Sequence, residues 1–213
     1  MNRLLVISAL PVLAASAVAQ ILPSPIVYAK VAPRAHWVAT PGVTGLPATR
    51  TSNPGAASAT HMYVFGGRLG NNTSTLLNDL HEFDGVAWTQ KNADGDPSAP
   101  PRRGRACIAW NGFTNKLVVH GGEGTGSFPA NLLTDTWEWD PITNIWTDVT
   151  PTVGMSPPGR RWGAMAYDPV TDAMVLFGGR DASNNPLSDT WLFIGGTWVQ
   201  ITTATTPGQR YHP

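Results

Sequence analysis

The chain is 213 residues long with a formal net charge of +0, 14 basic residues balancing 14 acidic ones. That balance excludes a broad electrostatic pull toward nucleic acid or an anionic membrane, so neither is an expected partner. Charged residues make up only 13%, while the 22 glycines and 19 prolines suit many short strands joined by turns.

The N-terminus reads Met1-Asn2-Arg3, then an apolar run from Leu4 to Val18 that ends in the small-x-small site Ala17-Val18-Ala19. One basic residue, a short apolar core and that site predict a secretory signal peptide over residues 1–19. Pro11 and the short length argue against a membrane span, which needs about 20 apolar residues. The mature chain is expected to begin near Gln20 and to be secreted or periplasmic. With one cysteine, Cys107, it has no internal disulfide framework, and that thiol is expected as a small buried side chain on a strand. Residues 20–36 form an apolar, proline-containing N-terminal segment without a clear period.

From residue 37 to 213 one pattern repeats. A tryptophan-led strand (Trp37, Trp88, Trp146, Trp198) runs into a Pro/Gly loop, and a basic residue follows at Arg50, Arg103, Arg160 and Arg210. A second strand comes next, clearest at Ala106–Trp110 and Gly163–Tyr167, with turns at Asn111-Gly112 and Asp168-Pro169. Asn-Gly after an apolar run is a hairpin signal. The third strand is a continuous apolar run stopped by two glycines, at Gly66-Gly67, Gly121-Gly122 and Gly178-Gly179. Unbroken apolar character predicts burial on both faces. The second glycines lie 55 residues apart from Gly67 to Gly122 and 57 apart from Gly122 to Gly179, a period of stacked units. A longer polar loop then leads to strands opened by Asp79, Asp135 and Asp189. Each unit is therefore four strands, and no helical period occurs beyond the leader.

The apolar run before Gly-Gly, the Asp-led strand and the tryptophan about ten residues on, in three ordered copies over roughly residues 50–212, resemble the kelch repeat, as in the central domain of galactose oxidase. The resemblance implies an all-β fold, a β-propeller of kelch-type four-stranded blades. The glycines permit sharp turning or close backbone approach, and the tryptophans fill space between adjoining sheets. The recurring aspartates read as loop-to-strand hydrogen bonders and the recurring arginines as family scaffold. Propellers need about four to eight blades. Three complete blades plus flanking strands are therefore expected to be part of a ring, truncated or completed by another copy, and prone to self-association.

For function, the resemblance leaves two readings. One is an exported, non-catalytic module that binds a protein or glycan ligand through its loops. The other is a fragment of a kelch-type propeller enzyme, a carbohydrate oxidase or a sialic-acid epimerase. No Tyr/His/Cys pair matches the copper site of the oxidases. His61, His81 and His120 show no zinc-like spacing, so no metal, cofactor or catalytic residue is assigned. His120 replaces Phe65 and Phe177 of the other copies and is expected as a core or channel histidine. Gly121–Gly126 lacks the Lys and helix of a phosphate loop. Asn71 and Asn72 each begin a glycosylation sequon. Arg68, Glu123 and Arg180 directly follow the second glycine of their copies. Equivalent loop positions fall on one face of a radial repeat, where binding residues concentrate, so these three are the expected ligand-binding residues.

Overall fold

Three antiparallel four-stranded sheets carry the fold of the computed structural model, which describes residues 44–70, 75–126, 131–151, 154–202 and 207–210. The chain divides into Met1–Thr40 and Pro41–Pro213, and only the second unit contains described residues. The signal peptide, the Trp37 strand, the Asn71 and Asn72 sequons, His36 and His212 lie outside them.

Blade 1 comprises β1 (Gly55–Ala57), β2 (Met62–Arg68), β3 (Leu76–Phe83) and β4 (Trp88–Asn92). A two-residue ribbon, β5 (Arg103–Gly104) with β8 (Glu123–Gly124), flanks blade 2. Blade 2 itself is β6 (Cys107–Asn111), β7 (Lys116–His120), β9 (Thr136–Asp140) and β10 (Ile145–Asp148). Blade 3 is β11 (Ala164–Asp168), β12 (Ala173–Phe177), β13 (Thr190–Ile194) and β14 (Thr197–Ile201). Within each blade every strand pairs with its neighbour in sequence order, which is the four-strand meander that the repeat predicts. The first strands of the blades lie beside one another, β6 contacting β1 on one side and β11 on the other.

The apolar run of β7 explains itself in this arrangement. Leu117 and Val119 join Tyr63, Phe65 and Leu80 in a core between blades 1 and 2. Val118 points the other way and joins Met174, Leu176 and Phe193 between blades 2 and 3. A strand alternates sides, so one packed on both faces must be apolar throughout.

The outer-strand tryptophans of blades 2 and 3 reach back to the preceding blade. Trp146 packs on Phe65 with ring centroids 5.0 Å apart and donates its indole N–H to Asn92 at 3.1 Å. Trp198 packs likewise on His120, also at 5.0 Å, and donates to the Thr136 hydroxyl at 2.9 Å. Both are buried. Trp88 is only half-buried, against Phe83, because among the described residues no preceding blade packs on it.

The paired glycines are forced by contact. Both residues of each pair have positive φ. A Cβ on Gly66 or Gly178 would stand 2.6 Å from the carbonyl oxygen of Arg103 or Arg210, and one on Gly122 would stand 2.8 Å from that of Gly104. The Gly122 and Gly179 amides donate to the carbonyls of Arg160 and Arg210, at 2.8 and 2.9 Å. Backbone of one unit thus lies directly on backbone of the next, where no side chain fits.

Candidate functional site

The recurring arginines and aspartates pair within each blade. Arg103 donates to both Asp135 oxygens (2.7 and 2.6 Å), to the Gly121 carbonyl (3.0 Å) and, through Nε, to the Pro101 carbonyl (2.9 Å). Arg160 repeats this on Asp189, Gly178 and Pro158, and Arg50 on Asp79, Gly66 and Ala48. Bidentate charge-assisted bonds of this kind are strong and geometrically specific. A second donor two residues after each aspartate completes the clamp: Trp137 and Trp191 through their indole N–H, and His81 through Nε2. Burial pushes the Asp79 carboxyl up, but hydrogen bonds from His81 and Arg50, with their charges, outweigh it and hold it at about 2. The Asp135 and Asp189 carboxyls are likewise held below their ordinary value against burial. These clamps consume their charges internally and leave nothing for a ligand.

The three sequence-predicted site residues sit at equivalent positions. Each pairs with the residue that follows a clamp arginine: Thr51 with Arg68, Gly104 with Glu123, and Arg161 with Arg180. Arg68 and Glu123 are brought into direct contact, Nη2 to Oε2 at 2.9 Å, and both are buried. Their loop-opening position suggests exposure; instead, strand pairing draws them inward. Arg105 donates to the same Glu123 oxygen, and Arg161 Nη1 lies 3.8 Å from it. Arg180 joins through its backbone pairing with Arg161, and both side chains bond Asn184 at 3.0 Å. Burial lowers the Arg161 pKa; Glu123 opposes that, and Arg105, Arg180 and Arg68 add to it. The Glu123 carboxylate and the guanidiniums of Arg105, Arg180 and Arg68 therefore all act on Arg161.

Beside this cluster runs a chain of left-handed backbone. Ser52, Arg105 and Trp162 each stand two residues after a clamp arginine, with φ of 56°, 58° and 59°. The Arg105 amide donates to the Ser52 carbonyl at 2.8 Å and the Trp162 amide to that of Arg105 at 2.9 Å. Such a conformation is uncommon for any side chain and a true outlier for a bulky one. The Arg105 and Arg161 guanidiniums lie over the Trp162 ring, 4.4 and 4.7 Å from its centroid, a cation–π arrangement. Ser52, Arg105 and Trp162 line a groove of about 600 Å³, with Asn53, Ile108 and Met165 along its walls.

A family model described as the KLHDC2/KLHL20/DRC7 Kelch-repeats domain matches residues 28–167. The chain belongs to the kelch-repeat family. It is 29% identical over 72% of its length to acyl-CoA-binding domain-containing protein 4 of Arabidopsis thaliana, covering 23% of that protein. Kelch domain-containing protein 1 of Mus musculus is 32% identical over 58% of the chain, and the match covers 30% of the relative. The Rab9 effector protein with kelch motifs of Rattus norvegicus is 38% identical over 42% of the chain, which spans 24% of it. The chain thus spans about a quarter of the length of these relatives.

The kelch blades account for the clamps and the paired glycines as scaffold. The Glu123 cluster lies beside them, on the residues that follow the clamp arginines and the paired glycines. Sequence reading identified Arg68, Glu123 and Arg180 but missed Ser52, Arg105, Arg161 and Trp162. The signal that finds them is the offset of one or two residues from the clamp arginine, which matters only once strand pairing shows where those positions lie. Arg105, close to Cys107 in sequence, serves Glu123 rather than the thiol. Burial pushes the Cys107 thiol up to about 11. Among the described residues no group of three or more His, Cys, Asp or Glu could hold a metal ion.

Proposed function

We propose that this chain is a non-catalytic, protein-binding kelch module of an exported protein, and that its Gly-Gly loop face takes a carboxylate-bearing segment of the partner. The observation that supports this reading is the convergence of guanidiniums on one buried carboxylate: Arg68 and Arg105 pair with Glu123, and Arg161 lies 3.8 Å from it. Glu123 holds the guanidiniums in place before any ligand arrives, which lowers the ordering cost of binding. The Arg105–Trp162–Arg161 stack borders an open groove, so an incoming carboxylate meets both a fixed fork of donors and a flat apolar surface. Strained backbone at Arg105 and Trp162, where glycine would sit without strain, supports a role for those side chains.

The test is a screen of acidic and neutral peptides against the full chain, with Arg105→Ala and Arg161→Ala in parallel. Binding is expected to weaken with added salt and to drop about tenfold or more in each variant. Unchanged affinity in both folded variants overturns the assignment. A hit confined to acidic glycans replaces the protein partner with a carbohydrate one on the same residues. N-terminal sequencing of the exported protein tests the leader; the expected first residue is Gln20.

A further inference from the structure

The opposite end of the blades, where the hairpin turns lie, holds a second and chemically different site. A groove of about 520 Å³ opens between blades 1 and 2. One wall is the turn Ser58–His61, held rigid because the Ser58 hydroxyl accepts the amides of Thr60 and His61 at 3.3 and 3.0 Å. The His61 ring is fixed in turn by its Nδ1, 2.8 Å from the Thr60 hydroxyl. Facing it on β3 and β4 are Glu82 and Lys91.

The distances around Glu82 are the informative feature. His61 Nε2 stands 3.6 Å from one carboxylate oxygen and Lys91 Nζ 3.6 Å from the other. Both are ion-pair contacts longer than a direct hydrogen bond, so each carboxylate oxygen lies beside a nitrogen that can also bond a ligand hydroxyl. A hydroxyl placed about 2.8 Å from both members of such a pair accepts from the nitrogen and donates to the oxygen, and polar contacts of this length are commonly bridged in that way. Two adjacent hydroxyls match the two oxygens. The adjoining wall is aromatic: Tyr63, paired across the strands with Glu82, is stacked by Trp110 of blade 2, with centroids 5.2 Å apart and planes 3° from parallel. Tyr63 is buried and Trp110 half-buried, which leaves indole surface toward the groove. Glu82 and Lys91 cancel in charge, so the groove lacks the net charge that would select an ion.

We infer that this groove is a saccharide site: a neutral pyranose binds with a vicinal diol on Glu82, His61 and Lys91 donating to the same hydroxyls, and Trp110 along its apolar flank. A few placed polar groups beside an aromatic wall are the usual make-up of small-ligand sites. The site shares no residue with the loop-face cluster, and its occupancy is independent of the partner proposed there.

The experiment uses the full chain with methyl α-D-mannopyranoside, methyl α-D-glucopyranoside and cyclohexanol, read by saturation-transfer NMR and tryptophan fluorescence. At least one glycoside is expected to bind with Kd in the roughly millimolar range, and cyclohexanol, which lacks a diol, is not. Glu82→Gln is expected to weaken binding about tenfold or more and Lys91→Gln severalfold, while Val170→Ala, on an exposed turn of blade 3, leaves it unchanged. The inference is overturned if neither glycoside receives saturation from folded wild-type protein, if cyclohexanol binds as well as the sugars, or if Lys91→Gln and Glu82→Gln bind like wild type. Lys91 lies at the rim, so Lys91→Gln decides the matter alone if Glu82→Gln does not fold.

Discussion

His120 is the odd member of its column, standing where the other blades carry Phe65 and Phe177, and it makes the fold acid-sensitive in a measurable window. Its ring is fully buried beneath Trp198, with Nδ1 3.0 Å from the Thr136 hydroxyl and, among the described residues, no hydrogen-bond partner for Nε2. Burial first, then the charges of Arg160 and Arg103 against the opposing Asp135, push its pKa from 6.5 down to about 3. The folded-state value is depressed, so the unfolded chain takes up a proton that the native chain refuses. Stability is therefore complete above pH 6.5 and lost as pH falls toward 3. At about 1.4 kcal/mol per pH unit, the loss reaches roughly 2–3 kcal/mol by about pH 4.5 and on the order of 4–5 kcal/mol by pH 3. The depressed carboxyls of Asp79, Asp135 and Asp189 act in the same direction, but only below about pH 4, from their ordinary value down through the folded one. Urea titrations of wild type and His120→Phe between about pH 7.5 and 4.5 isolate the histidine. Wild type is expected to lose roughly 2–3 kcal/mol relative to the variant across that interval. Parallel stability curves would refute the reasoning, because they would mean that His120 protonates in place.

Arg160→Ala strands the Asp189 carboxylate and is expected to cost about 3–5 kcal/mol in a denaturant titration; Arg160→Lys recovers little, since an ammonium cannot make the fork. Gly122→Ala places a Cβ 2.8 Å from the Gly104 oxygen at a φ of 100° and is expected to cost on the order of 3 kcal/mol. Gly85→Ala, at a φ of 97° with no atom within 4 Å, is the control at about 1 kcal/mol. Trp146→Ala is expected to cost about 3–5 kcal/mol by the same assay, and Trp88→Ala clearly less. A thiol-reactive dye is expected to leave native Cys107 untouched and to label it on unfolding, because the side chain is buried and its thiol pKa is raised to about 11.

Much of the scaffold was legible because it repeats. The apolar runs, the glycine pairs and the tryptophans each recur in order, and each is there for a local physical reason that residue type reveals. The identity of His81 was not legible. It replaces the tryptophan of the other copies as the second donor to the aspartate, a substitution that makes sense only once Trp137 and Trp191 are seen bonding Asp135 and Asp189. Trp88 shows a further limit: its type predicts burial, but burial depends on a neighbouring blade and not on its own strand. At the candidate site, Arg68, Glu123 and Arg180 were found by their shared position after Gly-Gly. Their convergence with Arg105 and Arg161 was hidden, because residues 55 positions apart in the chain, such as Arg68 and Glu123, meet only through the packing of one blade against the next.

The clamp arginines have a consequence for how such a chain grows. The side chain of Arg160 fastens Asp189 and Gly178 inside blade 3, while its carbonyl accepts the Gly122 amide of blade 2. The Arg103 carbonyl likewise rests against Gly66. One residue is thus the end of one joint and the start of the next. A gene segment cut from arginine to arginine carries one whole blade and both halves of a joint. Such a segment keeps each clamp arginine with its aspartate, whereas a cut at a sheet boundary divides the two. The repeat defined by these joints is therefore offset from the repeat defined by the sheets.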